Sequence, residues 1–127
     1  MTVYNYRMTN LNAALLLAQL ENLDKILEKK RELTSNYIDF FKNTSYEFIN
    51  EPKDCKSNFW LNSLLLKDKS NRERFLGETN SNGVMTRPIW TMMNKLKMFN
   101  NAQCGPLENS EWLEQRIVNI PSTGVMK

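Results

Sequence analysis

The chain has 127 residues, a hydrophobic content of 41% and a charged content of 24%, which is the balance of a globular protein rather than of a disordered segment. This length is enough for one domain with a hydrophobic core, but not for two. The formal net charge is only +3 and the basic residues are scattered, so the composition argues against a nucleic-acid partner.

The chain has no histidine, which excludes histidine metal sites, histidine general bases and Ser-His-Asp triads. Cys55 and Cys104 lie far apart in sequence without CxxC spacing, which favours reduced thiols of an intracellular protein. No apolar run reaches membrane-spanning length, and the N-terminus lacks a signal-peptide pattern. We therefore expect a cytoplasmic protein with no membrane partner and no metal.

The first predicted element is a long helix. Apolar residues recur at helical spacing over residues 11–42, which predicts one helix, or two helices separated by a bend near Thr34-Ser35. Thr9 or Asn10 is in position to cap its N-terminus. Its alanine-rich first half allows close approach of another element, in a subunit interface or within the domain.

The middle of the chain predicts short strands. Strands are expected around Tyr46 and Phe48, over residues 58–66 and over residues 84–86. Ser70 and Glu73 form a capping-box pattern that starts a helix. Gly77 and the cluster Asn80-Ser81-Asn82-Gly83 are expected to form the end of that helix and the turn that follows.

The last third predicts a short helix over residues 92–99, a further helix capped by Asn109 or Ser110, and an extended segment over residues 117–120. Trp60 and Trp90 are most simply core residues. This order of elements predicts an α+β fold in which helices cover one face of a small, mostly antiparallel sheet.

The residues before the first helix are candidates for binding an anion. A helix N-terminus favours negative charge, and Asn5 and Arg7 can donate hydrogen bonds to it. On residue chemistry alone, packing by Tyr4 and Tyr6 with Arg7 bonded to a carbonyl is the commoner arrangement. Arg87 is either a contact for an anionic or hydroxylated substrate or a member of a surface ion pair.

Four segments, taken together and in order, resemble motifs of the DegT/DnrJ/StrS family of sugar aminotransferases, which use pyridoxal 5′-phosphate (PLP). They are Tyr4-Asn5-Tyr6-Arg7-Met8-Thr9-Asn10-Leu11-Asn12-Ala13-Ala14, Thr86-Arg87-Pro88-Ile89-Trp90, Leu96-Lys97-Met98-Phe99 and Asn119-Ile120-Pro121-Ser122.

The resemblance implies that residues 1–127 form a single domain, equivalent to the small C-terminal domain of fold-type I PLP enzymes. It implies that Asn5 hydrogen-bonds the PLP phosphate of the other subunit of a homodimer. Arg7 is either a contact for the cofactor phosphate or the substrate, or a member of a structural salt bridge. It assigns to Arg87 a contact with a nucleotide-linked keto sugar.

In this family the lysine that forms the Schiff base belongs to a large domain, and no residue here matches it. Lys25, Lys29 and Lys30 are expected on a solvated helix face, and we assign no catalytic residue. The resemblance thus implies a truncated or split aminotransferase of amino-sugar or surface-polysaccharide biosynthesis, inactive without a large-domain chain. Apolar side chains that would pack on that domain are expected to be exposed. The alternative is a non-enzymatic dimerisation or interaction module.

Overall fold

Two consecutive helices open the part of the chain that the computed structural model describes, residues 7–123. Helix α1 spans Asn10–Glu21 and helix α2 spans Leu23–Phe41. Thr9 is the N-cap of α1, and its Oγ1 accepts a hydrogen bond of 3.3 Å from the backbone N–H of Asn12. The predicted cap is therefore confirmed.

The two helices are separated at Asn22, so the prediction of a bend at Thr34-Ser35 is wrong. The Asn22 side-chain amide donates to the carbonyl of Ala18 at 2.9 Å, and an asparagine that bonds the backbone in this way competes with helix continuation. Thr34 instead lies buried in the middle of α2, and its hydroxyl donates back to the carbonyl of Lys30 at 2.9 Å.

The strands form one small antiparallel sheet, as predicted. Within residues 7–123 it has four strands in the order β1-β2-β4-β3, and each neighbouring pair is antiparallel. The strands are β1 (Glu47–Phe48), β2 (Asn62–Leu65), β3 (Arg87–Pro88) and β4 (Ile117–Ile120). The strand predicted over residues 84–86 is therefore misplaced, because the strand begins at Arg87.

Strand β2 is shorter than the predicted segment 58–66 because the residues before it turn. Phe59 has a left-handed φ of 46°. The Ser57 Oγ and Asn58 Oδ1 atoms accept the backbone N–H groups of Phe59 and Trp60, each at 3.0 Å. Side-chain bonds to the local backbone thus replace strand pairing until Asn62.

The remaining helical elements of residues 7–123 are two α-helices and two 3₁₀ turns. They are α3 (Lys69–Ser81), α4 (Glu108–Glu114) and the 3₁₀ turns Met93–Lys95 and Lys97–Phe99. The two 3₁₀ turns stand where one helix was predicted over residues 92–99. The residue at the N-cap of α4 is Leu107, which makes no side-chain cap bond, so the predicted cap at Asn109 or Ser110 is wrong.

The N-cap of α3 is Asp68 and not Ser70. Its Oδ1 accepts the backbone N–H of Asn71 at 2.8 Å, and this bond, together with those from the Asn71 side-chain amide, holds the pKa of Asp68 below its usual value. Gly77 lies inside α3, so the predicted helix end there is also wrong. The turn follows at Gly83, whose φ is +77°.

The core lies between one face of the sheet and helices α2 and α3, which confirms the predicted arrangement of helices on one face. Its fully packed members are Leu64, Leu66, Val118 and Ile120. Partly buried side chains from the helices and from β1 pack against them: Tyr37, Phe41, Tyr46, Phe48, Phe75 and Leu76. Leu64 pairs with Val118 across β2 and β4, so the core is centred on the two middle strands.

No helix between residues 7 and 123 is long and apolar enough to cross a membrane. Over the same residues, no cluster of histidine, cysteine or acidic side chains could hold a metal ion. Cys55 and Cys104 are exposed and free, in agreement with the prediction of unpaired thiols.

Candidate functional site

The face of the sheet opposite the core carries a row of polar side chains. Asn119 on β4 pairs with Ser63 on β2 and with Arg87 on β3. Cross-strand partners share a face of the sheet, so these three side chains lie side by side. The Ser63 hydroxyl donates a hydrogen bond of 2.7 Å to Asn119 Oδ1, which fixes the orientation of the amide.

The row leads into a shallow cleft of about 470 Å³. The side chains that matter for its chemistry are Lys30, Trp60, Arg87, Trp90 and Asn119. The described residues that line it include two cations and no aspartate or glutamate. The cleft is therefore rich in hydrogen-bond donors and positive charge.

Trp60 and Trp90 form the aromatic wall of the cleft, and the prediction that they are core residues is wrong. They are 67% and 64% exposed. Their ring centroids lie 5.9 Å apart with an interplanar angle of 32°. Trp60 precedes β2 and Trp90 follows β3, so both lie beyond the strand segments that the helices cover.

Lys30 also faces this cleft, and its predicted place on a solvated helix face is wrong. Its Nζ donates to the carbonyl of Ser122 at 2.8 Å and to that of Phe59 at 3.3 Å. These bonds join α2 to the segment before Trp60 and to the segment after β4. An ammonium group has three N–H donors, so one remains for a ligand.

A buried polar network supports the cleft from the core side. Asn62 is 2% exposed, and its Oδ1 lies 2.9 Å from the Thr34 hydroxyl. The Asn62 backbone N–H donates to Ser122 Oγ at 2.6 Å. Its side-chain Nδ2 has no acceptor among the described residues. The network ties α2, β2 and the segment after β4 into one support.

Arg87, the predicted substrate contact, is exposed at the edge of the cleft. Its Nη2 lies 3.4 Å from Met85 Sδ. Arg87 takes part in none of the ion pairs of residues 7–123, whereas the sequence left a surface ion pair open as the alternative. The guanidinium is thus placed to meet a ligand from solvent, and a role in substrate binding stays a prediction.

The two residues predicted to bind the cofactor belong to a different part of the chain. Asn5 lies outside the described residues. Arg7 is exposed and precedes the Thr9 cap of α1 by two residues. Neither Arg7 nor any residue of α1 lines the cleft that contains Arg87.

Sequence reasoning missed Asn119 as a site residue, although a signal was present. Val118 and Ile120 on either side of it are buried, so a polar residue between them in a strand faces the opposite side of the sheet. Lys30 gave no comparable signal, because its two carbonyl partners are 29 and 92 residues away in sequence.

Helix α1 is apolar but has no buried residue. Leu11, Leu15, Leu17 and Leu20 are 72%, 60%, 58% and 54% exposed. Leu11 and Leu15 lie on one side of the helix and Leu17 and Leu20 on the other, because successive residues are 100° apart. We call these four side chains the α1 leucine surface. An exposed apolar patch of this kind is unusual for a protein surface that meets only water. The predicted exposure of apolar side chains is present here.

The chain belongs to the DegT/DnrJ/EryC1/StrS aminotransferase family, whose model matches residues 1–127. It is similar to the GDP-perosamine synthase of Escherichia coli O157:H7, with 33% identity over 120 residues that cover 94% of this chain and 32% of the relative. Identity to the GDP-perosamine synthase of Vibrio cholerae is 31% over 127 residues, covering 96% of this chain and 34% of the relative. The chain therefore spans about a third of the length of these relatives.

Solved structures share the fold. Helicobacter pylori PseC, an aminotransferase involved in pseudoaminic acid biosynthesis, matches with a TM-score of 0.86 and 18% identity over 98% of this chain and 34% of PseC. A family aminotransferase from Brucella abortus matches with a TM-score of 0.83 and 19% identity over 95% of this chain and 32% of its own. The predicted family and fold class are thereby confirmed.

Proposed function

We propose that residues 1–127 are the small domain of a cytoplasmic, PLP-dependent aminotransferase that aminates a nucleotide-linked keto sugar for amino-sugar or surface-polysaccharide biosynthesis. The names of the relatives support this: two are GDP-perosamine synthases, and another is a dTDP-3-amino-3,6-dideoxy-α-D-galactopyranose transaminase that is 29% identical. In this proposal the lysine that forms the Schiff base comes from a large domain outside residues 1–127, and these residues alone do not catalyse transamination.

The observation that carries the proposal is the α1 leucine surface. Burying one leucine side chain contributes about 1.5–3 kcal/mol, so four uncovered leucines on one helix favour association with another surface. About two thirds of each similar synthase lies outside the part matched by this chain. We therefore infer that the partner that covers this surface is a PLP-binding large domain, within a homodimer or on a separate chain.

The residues before α1 suit the phosphate of PLP. Arg7 supplies a guanidinium, and the first turn of α1 contains no acidic residue. Asn5, placed two residues earlier in the sequence, adds a neutral amide donor with a defined direction. We propose that these groups hold the phosphate of a cofactor bound mainly by another subunit.

When bound, PLP supplies the electron sink that transamination requires. The role of this chain is to bind and orient. In this proposal Asn5 and Arg7 neutralise and fix the cofactor phosphate, and Arg87 holds the substrate by its anionic or hydroxyl groups. No residue of this chain is assigned to proton transfer.

The second candidate is a non-enzymatic interaction module, which the same α1 leucine surface would serve. The two functions differ in what they require of Asn5 and Arg7. A docking helix without a cofactor has no use for a phosphate subsite beside it.

The test is an absorbance titration of the purified chain with PLP, compared with Asn5→Ala and Arg7→Gln. We expect saturable binding that each substitution weakens about tenfold, the effect of losing one strong hydrogen bond to a charged group. Arg74→Gln is the matched control, because Arg74 is exposed on α3 and contacts Asn71 at 3.3 Å and Glu78 at 3.9 Å, both on its own helix.

Pyridoxal, which lacks the phosphate, distinguishes the subsite from random Schiff bases on surface lysines. Equal binding of pyridoxal and PLP, or binding unchanged by Asn5→Ala, would contradict the phosphate subsite and favour the interaction module.

A further inference from the structure

We propose that Met85 is a site of reversible oxidation, and that its sulfoxide binds the Arg87 guanidinium and occupies its hydrogen-bond donors. The oxidant is a hydroperoxide, of which hydrogen peroxide is the simplest. The consequence for a ligand of the cleft rests on the proposed function, in which Arg87 holds the substrate. The oxidation of Met85 and the capture of Arg87 stand without it.

The backbone places Met85 beside Arg87. Exposure alternates along residues 85–87 as it does in a strand: Met85 and Arg87 are exposed, and Thr86 between them is 4% exposed. The Thr86 hydroxyl lies 2.6 Å from that of Thr79, and its carbonyl accepts from the Asn80 side-chain amide at 3.1 Å. These bonds to α3 hold the backbone between the two exposed side chains, so Met85 and Arg87 are kept on the same side.

The thioether of Met85 is open to solvent and already in contact with the guanidinium. Met85 is 65% exposed and lines the cleft. Its Sδ accepts a hydrogen bond from Arg87 Nη2 at 3.4 Å. A thioether sulfur is only a weak acceptor, so this contact holds the guanidinium loosely. A reagent that reaches the sulfur therefore acts at the point where Arg87 is adjacent and still free to move.

Oxidation converts this weak acceptor into a strong one. A lone pair of Met85 Sδ attacks one oxygen of hydrogen peroxide, so an S–O bond forms as the O–O bond breaks. Sulfur loses two electrons, and the departing hydroxide takes the proton of the transferred oxygen and leaves as water. The product is a polar sulfoxide. Its oxygen is attached directly to the atom that Arg87 Nη2 contacts.

No described side chain of the cleft competes strongly for the guanidinium. Among residues 7–123 no aspartate or glutamate lines the cleft, and Arg87 takes part in none of the ion pairs. On the neighbouring strand, Asn119 Oδ1 is engaged by the Ser63 hydroxyl at 2.7 Å. The sulfoxide therefore binds Arg87, which leaves fewer donors for the anionic or hydroxyl groups of a ligand. Enzymatic reduction of the sulfoxide returns these donors to the cleft.

The first half of the test measures oxidation. The purified chain is treated with hydrogen peroxide, catalase removes the excess, and mass spectrometry of peptides locates the added oxygen. Met85 should be oxidised at a rate within about threefold of Met98, since the two side chains are 65% and 78% exposed. If Met85 stays reduced while Met98 is converted, the proposal is overturned.

The second half measures the capture of Arg87 with phenylglyoxal, which forms adducts with accessible guanidinium groups. After oxidation, the rate of adduct formation at Arg87 should fall about fivefold, the effect of one hydrogen bond at an exposed charged group. Treatment with the two methionine sulfoxide reductases should restore the original rate. Arg74, which is exposed on α3, is the internal control and should keep its rate throughout.

Two variants separate Met85 from the other oxidisable side chains. Met85→Leu keeps the apolar bulk but cannot form a sulfoxide, so peroxide should leave the rate at Arg87 unchanged. Met85→Gln supplies a carbonyl acceptor on a side chain of similar length, so the rate at Arg87 should be low before any peroxide is added. Circular dichroism establishes that both variants are folded. An equal fall in the parent and in Met85→Leu, or a sulfoxide at Met85 with an unchanged rate at Arg87, would overturn the proposal.

These measurements need neither PLP nor a substrate, so they fail independently of the proposed function. Capture of Arg87 in a chain that does not bind PLP would support this inference and contradict the cofactor part of the proposed function. PLP binding that is sensitive to Asn5→Ala, together with an Arg87 that oxidation leaves fully reactive, would overturn this inference alone.

Discussion

Replacing Lys30 by methionine should loosen both walls of the cleft at once. The Lys30 ammonium donates to the carbonyl of Ser122 at 2.8 Å and to the carbonyl of Phe59 at 3.3 Å. Methionine keeps the unbranched stem and the helix propensity of lysine but removes both bonds. The substitution therefore isolates the ammonium group as the tie between α2 and the segments around Trp60 and Ser122.

The expected loss can be estimated from the geometry. A hydrogen bond from a charged group contributes about 1.5–3 kcal/mol when it is well shielded. Lys30 is half-buried and the longer bond is weak, so we expect a total loss of about 2 kcal/mol. With a urea m-value of about 1.5–2 kcal/mol per molar for a domain of this size, the unfolding midpoint should fall by about 1 M.

The assay is urea unfolding followed by circular dichroism at low protein concentration. Lys25→Met is the control, because Lys25 lies on the same helix and is exposed. Lys25→Met should move the midpoint by only a small fraction of the Lys30→Met shift. Equal midpoints for the two variants would refute the claim that Lys30 ties the cleft together.

Three further predictions concern stability. Hydrogen bonds from Lys95 and the Met92 N–H hold the pKa of Glu114 below its usual value. The stabilisation from this carboxylate is therefore present at neutral pH and is lost as the pH falls below about 4.5. In thermal melts from pH 7 to pH 3, the melting temperature should fall less for Glu114→Gln than for the parent. Leu64→Ala removes a side chain that is 0% exposed and should cost about 2–5 kcal/mol in urea unfolding; a cost below about 1 kcal/mol would mean that the core is loosely packed. Gly83→Ala should cost about 1 kcal/mol by the same measurement, because φ is +77° although nothing lies within 4 Å of the added Cβ.

Local chemistry predicted the elements better than their ends. The Thr9 cap and the strand over residues 117–120 are present as expected, since each depends on neighbours in sequence. The break between α1 and α2 was misplaced because Asn22 and Thr34 make the same local bond, each donating to the carbonyl four residues earlier. A helix nevertheless ends at Asn22, whereas Thr34 lies against Asn62 and stays within one. Only the tertiary partner distinguishes the two roles.

The candidate site was predictable in part. The motif segments led to Arg87, and the structure places it at a cleft. The prediction that the two tryptophans are core residues was wrong because the hydrophobicity of a side chain does not indicate whether it lies on the covered or on the open side of a sheet. Lys30 and Asn119 joined the site only through contacts between distant segments, such as the 56-residue separation of Asn119 from Ser63.

The central claim is that α1 is a docking face for a PLP-binding large domain, and sedimentation velocity of the purified chain tests it most directly. In the absence of that domain, the parent chain should associate with itself as its concentration rises. Replacing Leu15 and Leu17, which are 60% and 58% exposed, by glutamine should give a monomer with an unchanged melting temperature. A parent chain that remains monomeric at high concentration, or a variant that melts several degrees lower, would show that these leucines serve the fold of this chain and not a partner.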